Sequence, residues 1–84
     1  MSSEAITDEY LDEIEMRANL ATPGPWVEYL EARDKISGSD VISTQGEDIY
    51  MPGASMADYE FVAHARQDVP KLLNEVRRLR KLLG

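Results

Sequence analysis

The feature that most constrains this fold is the proline-rich turn at residues 21–26, Ala-Thr-Pro-Gly-Pro-Trp. Pro23 and Pro25 fix their backbone φ at about −65° and have no N–H to donate to a helix. Gly24, between them, is able to adopt a positive φ, and residues that precede a proline avoid the helical region. The turn therefore predicts that a helix ends before it and that an extended segment begins at Trp26.

The segment before the turn is typical of an amphipathic N-terminal helix. Thr7, followed by Asp8 and Glu9, is a good N-cap with acidic residues in the first turn, where the helix dipole favours them. An apolar face follows at spacings of three and four residues, formed by Leu11, Ile14, Ala18 and Ala21. The remaining faces are largely acidic, which indicates a helix with one buried side.

Three short segments after the turn predict an antiparallel meander of three strands. In the first, Trp26, Glu28 and Leu30 alternate with their neighbours, which is the period of a strand. The second covers residues 41–44 and the third residues 49–51. Turn-forming residues at 34–35, 37–40 and 45–48 separate them.

The C-terminal third predicts two helices with a bend between them. Ser55 and Asp58 have the spacing of a capping box, which indicates a short helix, and Asp68 before Pro70 is typical of a fresh N-cap with proline in the first turn. The final helix carries an apolar row that we call the leucine seam: Val69, Leu72, Val76, Leu79 and Leu83. The predicted fold is therefore one α+β domain over residues 1–84: an N-terminal helix, a three-stranded meander, a short helix and a C-terminal amphipathic helix.

The leucine seam also predicts self-association. It spans about two heptads, fewer than a free-standing coiled coil needs, so another surface must cover it. Either the N-terminal helix and the sheet do so, or a second chain does. Because Leu73 and Leu82 widen the seam beyond what a chain of 84 residues easily buries, we expect at least a dimer formed through the C-terminal helix.

The charge is divided unevenly along the chain. Residues 1–60 contain 14 acidic and three basic residues, a net −11, and residues 61–84 contain two acidic and six basic residues, a net +4. The total of −7 argues against general nucleic-acid binding, which requires a basic face. We expect the basic C-terminal helix to lie along the acidic N-terminal helix, in the same or a neighbouring copy. The alternative is that Arg77, Arg78, Arg80 and Lys81 face an anionic partner.

The standard catalytic motifs are not found in the sequence. It has no cysteine and one histidine, which excludes thiol chemistry and a multi-histidine metal site. It contains no phosphate-binding loop, dinucleotide fingerprint or nucleophile elbow. We therefore expect a protein that is not an enzyme and needs no cofactor or metal. With no signal peptide and no long apolar run, it is predicted to be cytoplasmic and not a membrane protein.

Four residues are candidates for a binding site: Arg17, Trp26, His64 and Arg66. If the first helix, the proline turn and the short helix meet, two guanidinium groups, an indole and an imidazole converge, which suits a planar ligand that bears phosphate. Each residue also has a structural interpretation. In that interpretation His64 pairs with Glu60, one turn earlier, and Trp26 is an anchor of the core.

Two blocks of this sequence, residues 16–26 and 57–73, resemble a family of small phage, prophage and bacterial proteins often labelled Ead-like. Those proteins join an Ala-Thr-Pro-Gly-Pro-Trp turn to a helix of pattern Ala-Asp-x-Glu-Phe-Ile-Ala-x-Ala-Arg-x-Asp-Val-Pro-x-Leu-Leu through a variable middle. The middle of this chain, residues 27–54, matches no pattern. The matching positions are Arg17, Thr22, Pro23, Gly24, Pro25, Trp26, Asp58, Glu60, Phe61, Arg66, Asp68 and Pro70.

The resemblance implies a phage accessory protein of the bacterial cytoplasm without enzymatic activity. Such proteins commonly blunt host defence, in some cases as small oligomers that sequester nucleotide-derived messengers. The expected function is therefore a homo-oligomeric binder of a small anionic, nucleotide-like signalling molecule. The alternative is a protein–protein interaction module, a host-protein inhibitor or acidic nucleic-acid mimic, that acts through the acidic helix and the leucine seam.

Overall fold

The computed structural model describes residues 5–36 and 38–84, and its elements follow the order helix, strand, helix, strand, helix. The elements are α1 (Asp8–Leu20), β1 (Val27–Tyr29), α2 (Glu31–Asp34), β2 (Val41–Ser43) and α3 (Met56–Leu83). The fold is α+β, as predicted, with a terminal helix at each end. Ser37, in one of the predicted turns, lies outside the described residues.

Both ends of α1 agree with the sequence analysis. The Thr7 hydroxyl accepts a hydrogen bond of 3.1 Å from the N–H of Tyr10, as an N-cap does. At the other end Ala21 is extended, with φ −72° and ψ 157°, and the chain enters the proline turn. The peptide bond between Gly24 and Pro25 is cis.

The sheet has two strands, so the predicted third strand is wrong. β1 and β2 are antiparallel, with Glu28 opposite Ile42. On its other side Ile42 exchanges two hydrogen bonds of 2.9 Å with Ile49, but this bridge is isolated. Beyond it the N–H of Met51 donates to the Tyr59 hydroxyl at 2.8 Å. Because that backbone group bonds to α3, the third segment leaves the sheet after one pair.

The helix α3 is continuous over 28 residues, so the predicted bend at Asp68–Pro70 is wrong. Its start is as expected, because Ser55 and Asp58 form both hydrogen bonds of a capping box. Pro70 lies in the middle of the helix and cannot donate to the Arg66 carbonyl, a cost of about 3 kcal/mol. The helix continues because its first half packs on β1 and β2, and α1 packs along it.

The short helix α2 was not predicted from the sequence, where Asp34 and Lys35 indicated a turn. The Asp34 carboxylate accepts a hydrogen bond of 2.8 Å from the N–H of Leu30, which closes a single turn of helix. Lys35 then takes a left-handed conformation with φ 60° and ends it. The Asp34–Lys35 pair therefore ends α2 rather than only reversing the chain.

The core is small and lies mainly between the sheet and the first half of α3. Its fully buried residues are Leu30, Ile42, Tyr59 and Ala63, with Trp26, Ile49 and Val62 packed around them. Leu11 and Leu73 are buried where α1 meets α3. Among the described residues, no helix combines the length and apolar character required to cross a membrane.

Candidate ligand groove between α1 and α3

A groove of about 500 Å³ lies where the C-terminal half of α1, the proline turn and the middle of α3 meet. Its walls are apolar apart from two guanidinium groups, those of Arg17 and Arg66. We call it the Arg–Trp groove. Its lining residues are Ile14, Arg17, Ala18, Trp26, Phe61, Val62, Ala65, Arg66, Val69 and Pro70.

Three of the four predicted site residues therefore line one groove. Arg17 comes from the last turn of α1, Trp26 from the end of the proline turn and Arg66 from α3, 40 residues further along the chain. His64 does not line the groove. It lies on a different side of α3, as described below.

Trp26 is held in place by Gln67. The N–H of Trp26 donates to the Gln67 amide oxygen at 2.8 Å, and the Gln67 amide nitrogen donates to the Trp26 carbonyl at 3.2 Å. The indole N–H donates to the Thr22 carbonyl at 3.0 Å, across the proline turn. Trp26 is half-buried rather than enclosed, and Phe61, which also lines the groove, is 75 % exposed. Gln67 was not found from the sequence.

Gly24 is required for close approach rather than for a positive φ. A Cβ at this position would lie 3.1 Å from Cγ of Arg66 and 3.2 Å from the amide oxygen of Gln67. Both distances are shorter than ordinary van der Waals contact, so an added Cβ would require the turn or these two side chains to shift by a few tenths of an ångström. The glycine thus allows the turn to lie directly against the two α3 residues that build this part of the site.

The two arginines of the groove differ in how firmly they are held. Arg66 is half-buried, and its Nη1 donates to the Ala18 carbonyl at 2.7 Å, one of the carbonyls at the end of α1 that lack a helical partner. Arg17 is exposed, and within the described residues its guanidinium makes no salt bridge. Arg66 therefore joins α1 to α3, while Arg17 is an exposed residue at the rim of the groove.

His64 faces a buried carboxylate instead of the groove. Its Nε2 lies 3.5 Å from Oε2 of Glu28. The same carboxylate oxygen accepts a hydrogen bond of 3.0 Å from Nη1 of Arg33. The predicted partner Glu60 bonds to Arg33 instead, at 3.2 Å. The expected Glu60–His64 pair is wrong because β1 brings Glu28 to that face of α3.

Glu28 is the main polar residue of this second cluster and was not predicted as a site residue. Burial raises the pKa of its carboxyl, but hydrogen bonds from its own backbone and from Arg33 outweigh burial and hold that pKa below its ordinary value. The charge of His64 acts in the same direction. The alternation of Trp26, Glu28 and Leu30 was the signal, since it places all three on the inner face of β1.

The charged faces of the two long helices meet within one chain. Arg77 lies 3.0 Å from carboxylate oxygens of both Asp12 and Glu15, and Arg80 lies 2.9 Å from Asp8. This confirms that the basic helix lies along the acidic one. Arg78 instead pairs with Glu75 on its own helix.

No cluster of three or more histidine or carboxylate side chains suited to a metal ion occurs in residues 5–36 and 38–84. Comparison of the chain with protein-family models, with curated proteins and with solved structures finds no match. The chemistry of the Arg–Trp groove is therefore the basis for inferring a function.

Proposed function

We propose that this protein binds a small anionic, nucleotide-like molecule in the Arg–Trp groove and acts by sequestering it, without altering it chemically. The observation that carries the proposal is that Arg17, Trp26 and Arg66, from two separate parts of the sequence, line one groove. Guanidinium groups bind phosphate with two parallel hydrogen bonds, and an indole face stacks on a base. The groove combines two guanidinium groups and an indole with apolar side chains, a composition suited to binding a molecule that has both a phosphate and a planar base.

The arrangement of the groups suggests how such a ligand would lie. The apolar floor, formed by Ile14, Ala18 and Ala65, suits a planar base or sugar, which the exposed Phe61 ring borders on one side. Arg17 at the rim is placed to reach a phosphate that remains partly in water. The ligand would therefore insert its apolar part and leave its charge at the mouth.

The proposed biological role, blunting of a bacterial defence signal, comes from the resemblance to Ead-like phage proteins. The groove supports it by the chemistry that it offers: nucleotide-derived messengers combine a base with phosphate. A homo-oligomer in the host cytoplasm remains the proposed form. Fold alone does not supply such a function, so the binding experiment is the direct test.

Calorimetric titration with cyclic mononucleotides, cyclic dinucleotides and cyclic ADP-ribose isomers tests the proposal. We expect one of these classes to bind, and Arg17→Ala to weaken that binding by about 1.5 to 3 kcal/mol, as for the loss of a hydrogen bond to a charged group. Arg17 is exposed, so this change should leave the melting temperature within the range of other surface substitutions.

Lys81→Ala is the matched control, because it also removes one positive charge but from an exposed position outside the Arg–Trp groove. Equal weakening by both variants would mean that net charge, not the groove, attracts the ligand. Absence of heat from every nucleotide in the panel would contradict the proposal.

A second candidate function, a protein–protein interaction module, is favoured by exposed leucines on α3. Leu72 is 64 % exposed and Leu82 71 % exposed, a large apolar area for a surface helix. Nucleic-acid mimicry by α1 has less support, because Asp8, Asp12 and Glu15 pair with arginines of the same chain. Capture of a host protein by wild type but not by Leu82→Glu, with no nucleotide bound, would favour this alternative.

A further inference from the structure

Within residues 5–36 and 38–84, the leucine seam is left largely uncovered. Leu72 is 64 % exposed, Leu79 45 % and Leu83 90 %. Phe61 and Ala65 extend the seam toward the start of α3 at spacings of four residues, so that it covers 23 of the 28 helical positions. A row of this period lies on one side of a helix. The exposed apolar surface is thus continuous along most of α3.

α1 covers the face of α3 next to the seam. Apolar residues of α1 itself also extend the uncovered apolar surface. Leu73 is buried against α1, beside the seam. A groove of about 220 Å³ runs between the helices, lined by Ile6, which precedes α1, and by apolar residues of both helices, including Leu11, Leu72 and Val76. This groove shares Ile14 and Val69 with the Arg–Trp groove. The two helices therefore present one joint apolar face.

The shape of the chain indicates that this face is half of a larger core. A compact chain of 84 residues has a radius of gyration of about 12 Å. Here the radius is 16.1 Å, and the molecule measures 52 × 30 × 19 Å. Its short dimension corresponds to two layers of elements, and only six apolar residues of the described chain are buried. A second layer of helices on the exposed face would supply the burial that one chain does not.

We propose that this layer is a second copy of the chain, with the two α3 helices antiparallel and related by a two-fold axis near residue 74. In that register Leu72 of one copy lies opposite Val76 of the other, Val69 opposite Leu79 and Ala65 opposite Leu83. The two α1 helices then flank the pair, and the assembly is a four-helix arrangement. The proposal does not require a ligand in the Arg–Trp groove.

The two ends of α3 differ in charge, and this favours the antiparallel direction. Residues 77–81 contain four bases and no acid, whereas residues 58–68 contain three acids and one arginine. A parallel pair would set the two basic ends side by side. An antiparallel pair separates the two basic ends, sets residues 77–81 of each copy opposite residues 67–71 of the other, which include Asp68, and opposes the two helix dipoles.

The outer edge of the seam supports the same direction. Its exposed charged residues alternate in sign: Asp68, Lys71, Glu75 and Arg78. In an antiparallel pair this edge lies against the same edge of the other copy, running in the opposite direction. Asp68 of one copy then lies near Arg78 of the other, and Lys71 near Glu75. The register that pairs these charged residues differs from the register that pairs the apolar residues by two positions, about 3 Å along the helix axis. Arginine and lysine side chains are long enough to span that difference. In a parallel pair this edge would meet α1 instead.

Light scattering and single-cysteine cross-linking test the proposal. At 100 µM we expect wild type to have the mass of two chains and Leu72→Glu that of one, with α-helical circular dichroism retained. Leu20→Glu is the matched control, since Leu20 is 80 % exposed at the end of α1 and away from the seam. It should remain a dimer. A wild type with the mass of one chain would overturn the proposal.

The cross-links decide direction, and they do not depend on the folding of Leu72→Glu. Because the chain has no cysteine, Ala65→Cys and Leu83→Cys can each be introduced alone. Under mild oxidation we expect covalent dimers from a mixture of the two variants and from the double variant, and at least tenfold less from either alone. Efficient cross-linking of each variant with itself would show a parallel pair and overturn the inference.

Discussion

Replacing Gln67 by Met tests whether this side chain fastens the proline turn to α3. The methionine has nearly the same length but removes the amide that bonds to both backbone groups of Trp26, at 2.8 and 3.2 Å. A half-buried N–H and a half-buried carbonyl then lose their partners. Each net hydrogen bond contributes about 1 kcal/mol, so the expected loss in the free energy of unfolding is about 2 kcal/mol.

Urea unfolding followed by fluorescence measures this loss cleanly, because Trp26 is the single tryptophan of the chain. We expect a lower midpoint with an unchanged slope, and a red-shifted emission in the folded state as the turn separates from α3. Asn74→Met is the control, since it exchanges an exposed amide for methionine on the same helix. If Gln67→Met lowers stability by less than about 0.5 kcal/mol relative to that control, the turn is held by other contacts.

Two further changes test the second polar cluster and the uninterrupted helix. Because the pKa of Glu28 is lower in the folded than in the unfolded chain, its contribution is complete above its ordinary pKa of 4.5 and is lost as the pH falls through the folded value. Glu28→Gln should therefore make stability decline less as the pH falls below about 4.5, in acid titrations followed by circular dichroism; an unaltered profile would show that other carboxyls cause the decline. Pro70→Ala should restore the N–H that the Arg66 carbonyl lacks and raise the free energy of unfolding by about 1 to 3 kcal/mol, whereas a lower melting temperature would mean that the proline ring is needed in the groove wall.

The helix caps were predictable because their chemistry is local. Thr7 bonds to Tyr10 and Ser55 to Asp58, each within three residues, so the sequence contains the whole interaction. The two-strand pairing was also predictable, since alternation and turns are short-range signals. Elements of this kind account for the correct part of the fold.

The incorrect predictions involve contacts between residues that are distant in the sequence, which local sequence patterns do not reveal. Pro70 looked like a helix start, but α1, about 50 residues earlier, packs along α3 and keeps the helix intact. His64 looked like a partner of Glu60, yet the carboxylate nearest to it comes from β1. The third segment does not continue as a strand because the N–H of Met51 donates to the Tyr59 hydroxyl, which the packing of α3 places beside it. None of these outcomes is encoded in residue spacing along a single element.

The Arg–Trp groove and the leucine seam share side chains, and this links the two proposals thermodynamically. Ala65 and Val69 line the groove and also belong to the extended seam. In the antiparallel register, Leu83 and Leu79 of the second copy lie opposite these two residues, so pairing alters one wall of the groove. A ligand that prefers the altered wall strengthens association by the same factor by which association strengthens its binding. For a protein whose proposed task is sequestration, a ligand with that preference would be retained better by the paired state than by the single chain.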